Sequence, residues 1–192
     1  MPPKVKISQA TIVNAAIELI REKGMESLNA RELAKKLGCS TQPIFRTFAN
    51  MEELKKFLYI QVEEFYNQYV LKGMNSSIPF LGIGLAYIDF AFKEKNLFKL
   101  LFMSDHFKTK SVHEMVEGED NKEIIRMISK SAGLSEAAAK QLFLEIWLVT
   151  HGIASFVATN TCGYGMEEIE GILKDAFVGF KLQLERKEKG EK

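Results

Sequence analysis

The sequence predicts an all-α protein made of a three-helix N-terminal domain, residues 1–50, and a larger helical domain, residues 51–192. Three observations favour helix over sheet. Only four prolines occur in the 192 residues, Val and Thr rarely form runs, and apolar residues recur at helical spacing instead of alternating. The composition, 46% hydrophobic and 27% charged, is typical of a folded globular protein.

Four helices are predicted before the first break in the chain, because each follows a capping residue and two of them end at a glycine. They are predicted over residues 8–23, 29–37, 40–47 and 50–71, with Ser8, Asn29, Ser40 and Asn50 as caps. Further helices are predicted over residues 79–95, 97–103, 122–132, 135–160 and 166–186. Between them we expect a break at residues 73–77 and a polar loop over residues 104–121.

Charge is distributed unevenly along the chain. Residues up to Ile60 include ten Lys or Arg and six Asp or Glu, a net charge of +4, while the remainder carries −3. This asymmetry is typical of a basic module that meets an anionic partner, attached to an acidic body that does not. Random variation of surface charge explains the asymmetry about equally well.

Several classes of protein are disfavoured. No apolar stretch reaches the roughly 18–20 residues that span a bilayer, and two cysteines are too few for a disulfide framework. His106, His113 and His151 lack metal-ligand spacing, and no phosphate loop or nucleophile elbow occurs. We therefore expect a cytoplasmic protein without catalytic activity, metal, cofactor or membrane contact.

The segment from Leu33 to Phe48 has the spacing of a helix-turn-helix. Ala34 is small enough for two helices to cross closely, Gly38 can adopt the positive φ of a tight turn, and Ile44 can pack against the preceding helix. Gln and Arg pair with base edges, and Thr and Phe can contact thymine methyl groups. If Ile44 and Phe48 face inward, four side chains of these types project outward: Thr41, Gln42, Phe45 and Arg46.

Residues 8–55 resemble the DNA-binding domain of the tetracycline-repressor (TetR) family of bacterial regulators. The matching elements are Leu33-Ala34, Gly38, Ser40 and Phe45-Arg46-x-Phe48-x-x-Met51-Glu52-Glu53-Leu54. The resemblance implies a homodimeric repressor that binds a palindromic double-stranded DNA operator and is released by a small-molecule effector. The DNA contacts implied by the family pattern and the basic residues nearby are Lys6, Arg31, Ser40, Thr41, Gln42, Pro43, Phe45, Arg46 and Lys55.

Two positions depart from the family pattern. Phe45 stands where the family usually has Tyr, and Met51 stands where it usually has Lys. Two expected phosphate contacts are thereby weakened, although Lys55 or Lys56, one turn later, can replace them in part.

The C-terminal domain contains less specific signals. The motif Trp147-x-x-x-His151-Gly152 resembles the effector domain of one branch of this family. Apolar pockets with one polar anchor are typical of small-molecule sites, although aromatic residues at helical spacing are more often core. The candidate effector-binding residues are Phe65, Tyr69, Phe90, Phe102, Trp147 and His151.

The predicted helix over residues 135–160 is apolar over so much of its circumference that it must be buried on more than one side, and the last helix carries apolar residues at helical spacing. We therefore expect a homodimer across these helices, related by a two-fold axis. The predicted interface residues are Leu142, Ile146, Val149, Ile153, Ile169, Leu173, Ala176, Phe180 and Leu184.

One alternative function stays open at this point, a helical ligand-binding or protein-interaction module that does not bind DNA. It shares the C-terminal features and differs only in the N-terminal domain. A generic helical hairpin explains the apolar pattern there, but it does not explain exposed Phe45 and Arg46 in a basic segment.

Overall fold

The computed structural model describes residues 7–104 and 118–190, and within these ranges the regular structure is entirely helical. The predicted all-α fold is therefore confirmed. A short 3₁₀ turn, Met25–Ser27, follows the first helix. The nine α-helices of the described ranges are α1 Gln9–Lys23, α2 Ala30–Lys36, α3 Gln42–Thr47, α4 Met51–Met74, α5 Pro79–Lys93, α6 Lys95–Phe102, α7 Glu119–Ala132, α8 Glu136–Ala158 and α9 Met166–Glu188.

The helices form two compact units. The first comprises residues 1–67 with 94–106, and the second comprises residues 68–93 with 107–192. α6 therefore groups with the N-terminal helices, and α4 contributes residues to both units. The division into residues 1–50 and 51–192 is a functional one, between a DNA-binding segment and the rest, and it stays a prediction.

α1 begins and ends where local chemistry predicts. The Ser8 hydroxyl oxygen accepts a hydrogen bond from the Thr11 backbone N–H at 3.1 Å, satisfying an amide that the first turn leaves open. Gly24, with a φ of 83°, ends the helix and donates its N–H to the Ile20 carbonyl at 2.8 Å. α1 packs against α2 and α6, and its buried residues include Ile12.

Polar contacts also hold α6 against α1. Arg21 donates from Nε and Nη2 to the two carboxylate oxygens of Glu94, at 2.8 and 2.9 Å. Asn96 donates to the Arg21 carbonyl at 2.8 Å. Hydrogen bonding to Glu94 raises the pKa of Arg21 above its ordinary value. A bidentate pair has directional geometry, so it fixes the orientation of α6 on α1.

The turn between α2 and α3 is closed by a glycine in the left-handed region. Gly38 has a φ of 65°, and its N–H donates to the Lys35 carbonyl at 3.1 Å. The next N–H, of Cys39, donates to the Ala34 carbonyl at 3.0 Å. These two bonds form a Schellman motif, which satisfies carbonyls that the last turn of α2 leaves open.

The prediction that Ser40 caps α3 is wrong. The residue before α3 is Thr41, which already has helical backbone angles and makes no capping hydrogen bond through its side chain. The helix itself begins at Gln42, one residue later than a Ser40 cap indicates. α3 is correspondingly short.

The break predicted over residues 73–77 is found at residues 75–78, because α4 continues through Gly73 to Met74. A Cβ added to Gly73 would lie 2.4 Å from the Gly82 carbonyl oxygen, and one added to Gly82 would lie 2.2 Å from the Gly73 carbonyl oxygen. The backbones of α4 and α5 therefore meet here. This glycine permits a close helix crossing and does not stop a helix.

α8 is the central helix of the second unit and packs against α5, α7 and α9. Contrary to the sequence prediction, this 23-residue helix contains an 18-residue stretch, with a mean hydropathy of 1.4, that is long and apolar enough to cross a bilayer. A core helix has the same properties, and Leu142 and Ala139 of α8 are completely buried in an apolar cluster. Packing on three neighbours accounts for the buried apolar residues of α8, whereas Leu148 and Phe156 are exposed.

The polar loop predicted over residues 104–121 falls mostly on residues 105–117, which lie outside the described residues. α7 begins at Glu119 rather than at Lys122, and α9 ends at Glu188 rather than at Arg186. Differences of this size are usual for helix ends, which fray.

We expect Gly38→Ala to lower the free energy of unfolding by about 1–2 kcal/mol, the cost of a left-handed conformation for a residue with a Cβ. Nothing lies within 4 Å of an added Cβ, so the loss arises from the backbone alone. Urea denaturation measures the change. Gly38→Asn is the matched control, because Asn tolerates this conformation better; equal losses for Ala and Asn would contradict the explanation.

Candidate nucleic-acid interface

α3 has an inner and an outer face. Ile44 is completely buried and Phe48 is 3% exposed, whereas Phe45 is 46% exposed. Gln42 and Arg46 are exposed as well. A short helix thus presents an aromatic ring, an amide and a guanidinium to solvent, a combination of side chains that can read base edges and thymine methyl groups.

The cations of the first unit differ in whether they have an acidic partner. Lys36 pairs with Glu22 at 2.8 Å, and Lys55 pairs with Glu52 at 2.7 Å. Within the described part of the chain, Arg46 has no such partner, and neither do two cations of α2, Arg31 and Lys35. Cations without a partner are available to phosphate at lower cost, because no existing ion pair has to break.

The remaining candidate DNA contacts are located as follows. Ser40 is exposed, while Thr41 and Pro43 are half-buried. Arg31 is exposed in the first turn of α2. Lys55 must break its ion pair with Glu52 before it can contact a phosphate. Lys6 lies outside the described residues.

Sequence reasoning missed Lys35 as a candidate contact. Arg31 and Lys35 are exposed residues of α2, four positions apart, and so lie on one face of the helix. This i,i+4 spacing of two cations is visible in the sequence. We expect a phosphate-facing role for the pair.

The candidate effector-binding residues are divided between the two units. In the first unit, the Arg21 guanidinium carbon lies 5.4 Å from the centroid of the Phe65 ring. Phe102 packs edge-on against Tyr66 with ring centroids 5.0 Å apart, and burial raises the pKa of Tyr66 well above its ordinary value. These contacts are typical of a core.

In the second unit the candidate residues form two pairs. Tyr69 packs edge-on against Phe90, with ring centroids 5.1 Å apart. Trp147 stacks on His151, with ring centroids 4.9 Å apart and planes at 7°. A hydrogen bond of 2.9 Å joins the Tyr87 hydroxyl to His151 Nδ1, and burial lowers the pKa of His151. That these side chains contact an effector stays a prediction.

A cavity of about 300 Å³ lies among α5, α8 and α9, and none of the candidate effector-binding residues lines it. Its walls are almost entirely apolar, with Phe80, Leu173 and Phe177 among them, and the Thr150 side chain also lines it. Sequence reasoning missed this cavity because most of its lining residues are apolar residues at ordinary helix positions. Only the packing of three helices shows that the space between them is incompletely filled.

The candidate dimer residues are mostly turned inward. Leu142, Ile146, Ile169, Leu173 and Leu184 are buried within the protomer, and Val149, Ile153, Ala176 and Phe180 are half-buried. Periodicity identifies apolar faces but does not say which one is internal. The large exposed apolar residues of α8 and α9 are Leu148, Phe156, Met166, Ile172, Val178 and Leu182.

The N-terminal helices match a known family. Residues 12–56 match the model described as bacterial regulatory proteins, tetR family. The match extends from α1 into α4 and covers the helix-turn-helix predicted at Leu33 to Phe48. No match to the chain was found among curated proteins.

Solved structures resemble the chain over nearly its whole length. A protein of unknown function from Rhodococcus sp. RHA1 is 18% identical, with a TM-score of 0.70, over 96% of this chain and 99% of that one. A TetR-like transcriptional regulator from the same organism is 11% identical, with a TM-score of 0.61, over 92% and 96%. A TetR variant from Acinetobacter baumannii AYE, solved in complex with minocycline, is 19% identical, with a TM-score of 0.57, over 92% and 98%.

These findings define the class of protein. The chain has a TetR-type helix-turn-helix DNA-binding domain at its N-terminus, followed by a helical C-terminal domain, and its fold is that of TetR-like transcriptional regulators. The predicted helix-turn-helix is therefore confirmed.

We expect Arg46→Ala to weaken binding to the preferred DNA site by about tenfold or more, the usual cost of losing one base contact. Gel-shift titration at fixed salt measures it, with a duplex that the wild-type protein selects from a randomised pool. Arg126→Ala removes an exposed arginine of α7 and is the matched control. Unchanged affinity of the Arg46 variant would remove this residue from the interface.

His151 predicts a pH dependence of stability. Because burial lowers its folded-state pKa, the unfolded chain takes up this proton first as the pH falls below about 6.5. The stabilising effect of the neutral ring is complete above that pH and is lost progressively as the pH falls toward the folded-state value. Urea denaturation at several pH values should therefore show a smaller acid-induced loss for His151→Gln than for the wild type; equal losses would contradict the assignment.

Proposed function

We propose that the chain is a cytoplasmic, homodimeric transcriptional repressor that binds a palindromic operator and is released by a small apolar or amphipathic effector. The observation that carries this proposal is the outward presentation of Gln42, Phe45 and Arg46 on α3, within a TetR-type domain. Phosphate contacts from Arg31 and Lys35 position the protein, and α3 reads the sequence. The activity is binding and release of DNA, without a catalytic step.

A homodimer is supported by the exposed apolar side chains of the last two helices. Leu148 and Phe156 of α8 are 50% and 60% exposed, and Val178 and Leu182 of α9 are 54% and 50% exposed. We refer to these four side chains, with Ile172, as the outer apolar face. Large exposed apolar surfaces are characteristic of protein interfaces, and a two-fold axis makes one such face complementary to its copy.

Three glycines support the same assignment. A Cβ added to Gly152 of α8, or to Gly171 or Gly179 of α9, would meet nothing within 4 Å. Nothing in the described part of the protomer requires glycine at these positions, although each lowers helix propensity. Close approach of a second copy supplies a reason for all three.

The effector-binding half of the proposal rests on the C-terminal domain. We propose that this domain is of the branch that has a Trp-x-x-x-His-Gly motif, here Trp147 to Gly152. One structural neighbour was solved with minocycline bound, which supports a ligand-binding role for this fold. For the present chain, the candidate contacts are the aromatic pairs described above and the cavity among α5, α8 and α9.

The chain connection between α5 and α6 suggests how effector binding could change DNA binding. Only Glu94 separates α5 from α6, and Glu94 itself holds Arg21 of α1. A change in α5 on ligand binding is therefore proposed to reach α6 and α1 through this covalent link. In the dimer, such a change alters the separation of two recognition helices that must be spaced by about one turn of DNA or a small multiple of it.

Selection from a randomised duplex pool tests the DNA-binding function directly. We expect a recovered site with two-fold symmetry, and an affinity that falls steeply with salt because phosphate contacts release counterions. Failure to enrich any sequence would favour the alternative, a helical ligand-binding module that does not contact DNA.

We expect Phe156→Glu to convert the dimer into monomers at micromolar concentration, because a carboxylate buried at the interface without a partner is costly. Sedimentation velocity measures the state. Ile60→Glu is the matched control, because Ile60 is an exposed apolar residue (52%) of α4 outside the outer apolar face. A monomeric wild type, or an unaffected Phe156 variant, would contradict this interface.

A further inference from the structure

We propose that the cavity among α5, α8 and α9 binds a small, uncharged, apolar molecule through shape and a single hydrogen bond to Thr150. The role of the bound molecule as effector rests on the proposed function, whereas the binding site itself does not. Every lining residue belongs to the second unit.

The size of the cavity limits the ligand. A dry apolar cavity of about 150 Å³ is large enough for benzene, and this one has about twice that volume, 300 Å³. It therefore fits a molecule of roughly ten to twelve heavy atoms, such as a fused bicyclic aromatic compound. Ile78 borders the cavity and is 54% exposed, so it lies at the solvent side and gives access. Val178, also at the border, belongs to the outer apolar face, which the second copy covers in the proposed dimer.

The polar groups of the lining exclude a buried charge. Thr150 is 5% exposed, and its hydroxyl donates to the Ile146 carbonyl at 2.8 Å, which leaves its oxygen as an acceptor. Lys174 is an exposed lining residue whose ammonium pairs with Glu170 at 2.6 Å. The lining thus offers one acceptor to a ligand hydroxyl or N–H, and a buried carboxylate would meet no donor that is not already engaged.

Gly84 helps to keep the cavity open. A Cβ added there would lie 3.5 Å from Leu173 Cδ1 and 3.6 Å from Thr150 Oγ1, which is ordinary van der Waals contact. Packing alone therefore does not require glycine at this position of α5. A larger side chain at residue 84 would extend into the cavity, which makes this residue the natural place to fill it.

Isothermal titration of the full chain with 1-naphthol, naphthalene and 1-naphthoate near neutral pH tests the proposal. We expect the first two to bind and 1-naphthoate to bind at least tenfold more weakly. Thr150→Val keeps the shape and removes the acceptor, so it should weaken 1-naphthol about fivefold, the value of one hydrogen bond, and leave naphthalene within twofold. Absence of binding by both uncharged probes would overturn the proposal.

Two further variants locate the site. Gly84→Leu should abolish binding of both uncharged probes, and Gly84→Ala, which fits without displacement of its neighbours, should weaken it if the larger variant fails to fold. Arg126→Ala, at an exposed residue of α7, should leave binding unchanged, and His151→Gln tests the alternative site at the aromatic pairs. Loss of binding in the His151 variant but not in the Gly84 variants would place the site at the aromatic pairs and overturn the proposal, as would tight binding of 1-naphthoate that depends on Lys174.

DNA release is measured separately, with the selected duplex and saturating 1-naphthol. Release in the wild type but not in the Gly84 variants supports the cavity as the effector site. Binding of the probe without release would overturn the regulatory part of the proposed function and leave the binding site intact.

Discussion

The candidate DNA-binding surface depends on the burial of Ile44 and Phe48 beneath α3. A helix of six residues has no independent stability in water, since nucleation costs more than so few hydrogen bonds return. Burying a side chain of this size is worth about 1.5–3 kcal/mol, so two such anchors hold the helix in place. The same two side chains also decide which residues face outward, because the helical period then directs Gln42, Phe45 and Arg46 to solvent. The stability of α3 and the set of side chains that it presents to solvent are thus determined together in this segment.

The second unit uses apolar residues in three different ways. Leu142 and its neighbours fill a dry cluster around α8, Phe156 and other side chains of the outer apolar face remain exposed, and Phe80 lies at an incompletely filled space. All three kinds of position recur at helical spacing in the sequence. An apolar period indicates that one face of a helix is buried. Which neighbour covers that face depends on the tertiary structure.

This difference explains what could be predicted from the sequence. The Ser8 cap and the Gly38 turn depend on contacts within five residues, so local chemistry specifies them, and the outward residues of α3 follow from the period of one short helix. Gly73 was misinterpreted because the reason for that glycine, a close approach to Gly82, lies on another helix. The cavity and the inward orientation of Leu142 and Ile169 could not be predicted for the same reason. They arise from the relative placement of three helices, which no single periodic pattern contains.

The contact between Gly73 and Gly82 has a mechanical consequence. Two backbones that already touch cannot move closer, and separating them would lose packing on both sides. The start of α5 is thus fixed against α4, and because α5 also packs on α8 and α9, it is not free to pivot about that point. An adjustment near Gly84 is therefore passed to α8 and α9, which line the cavity together with α5.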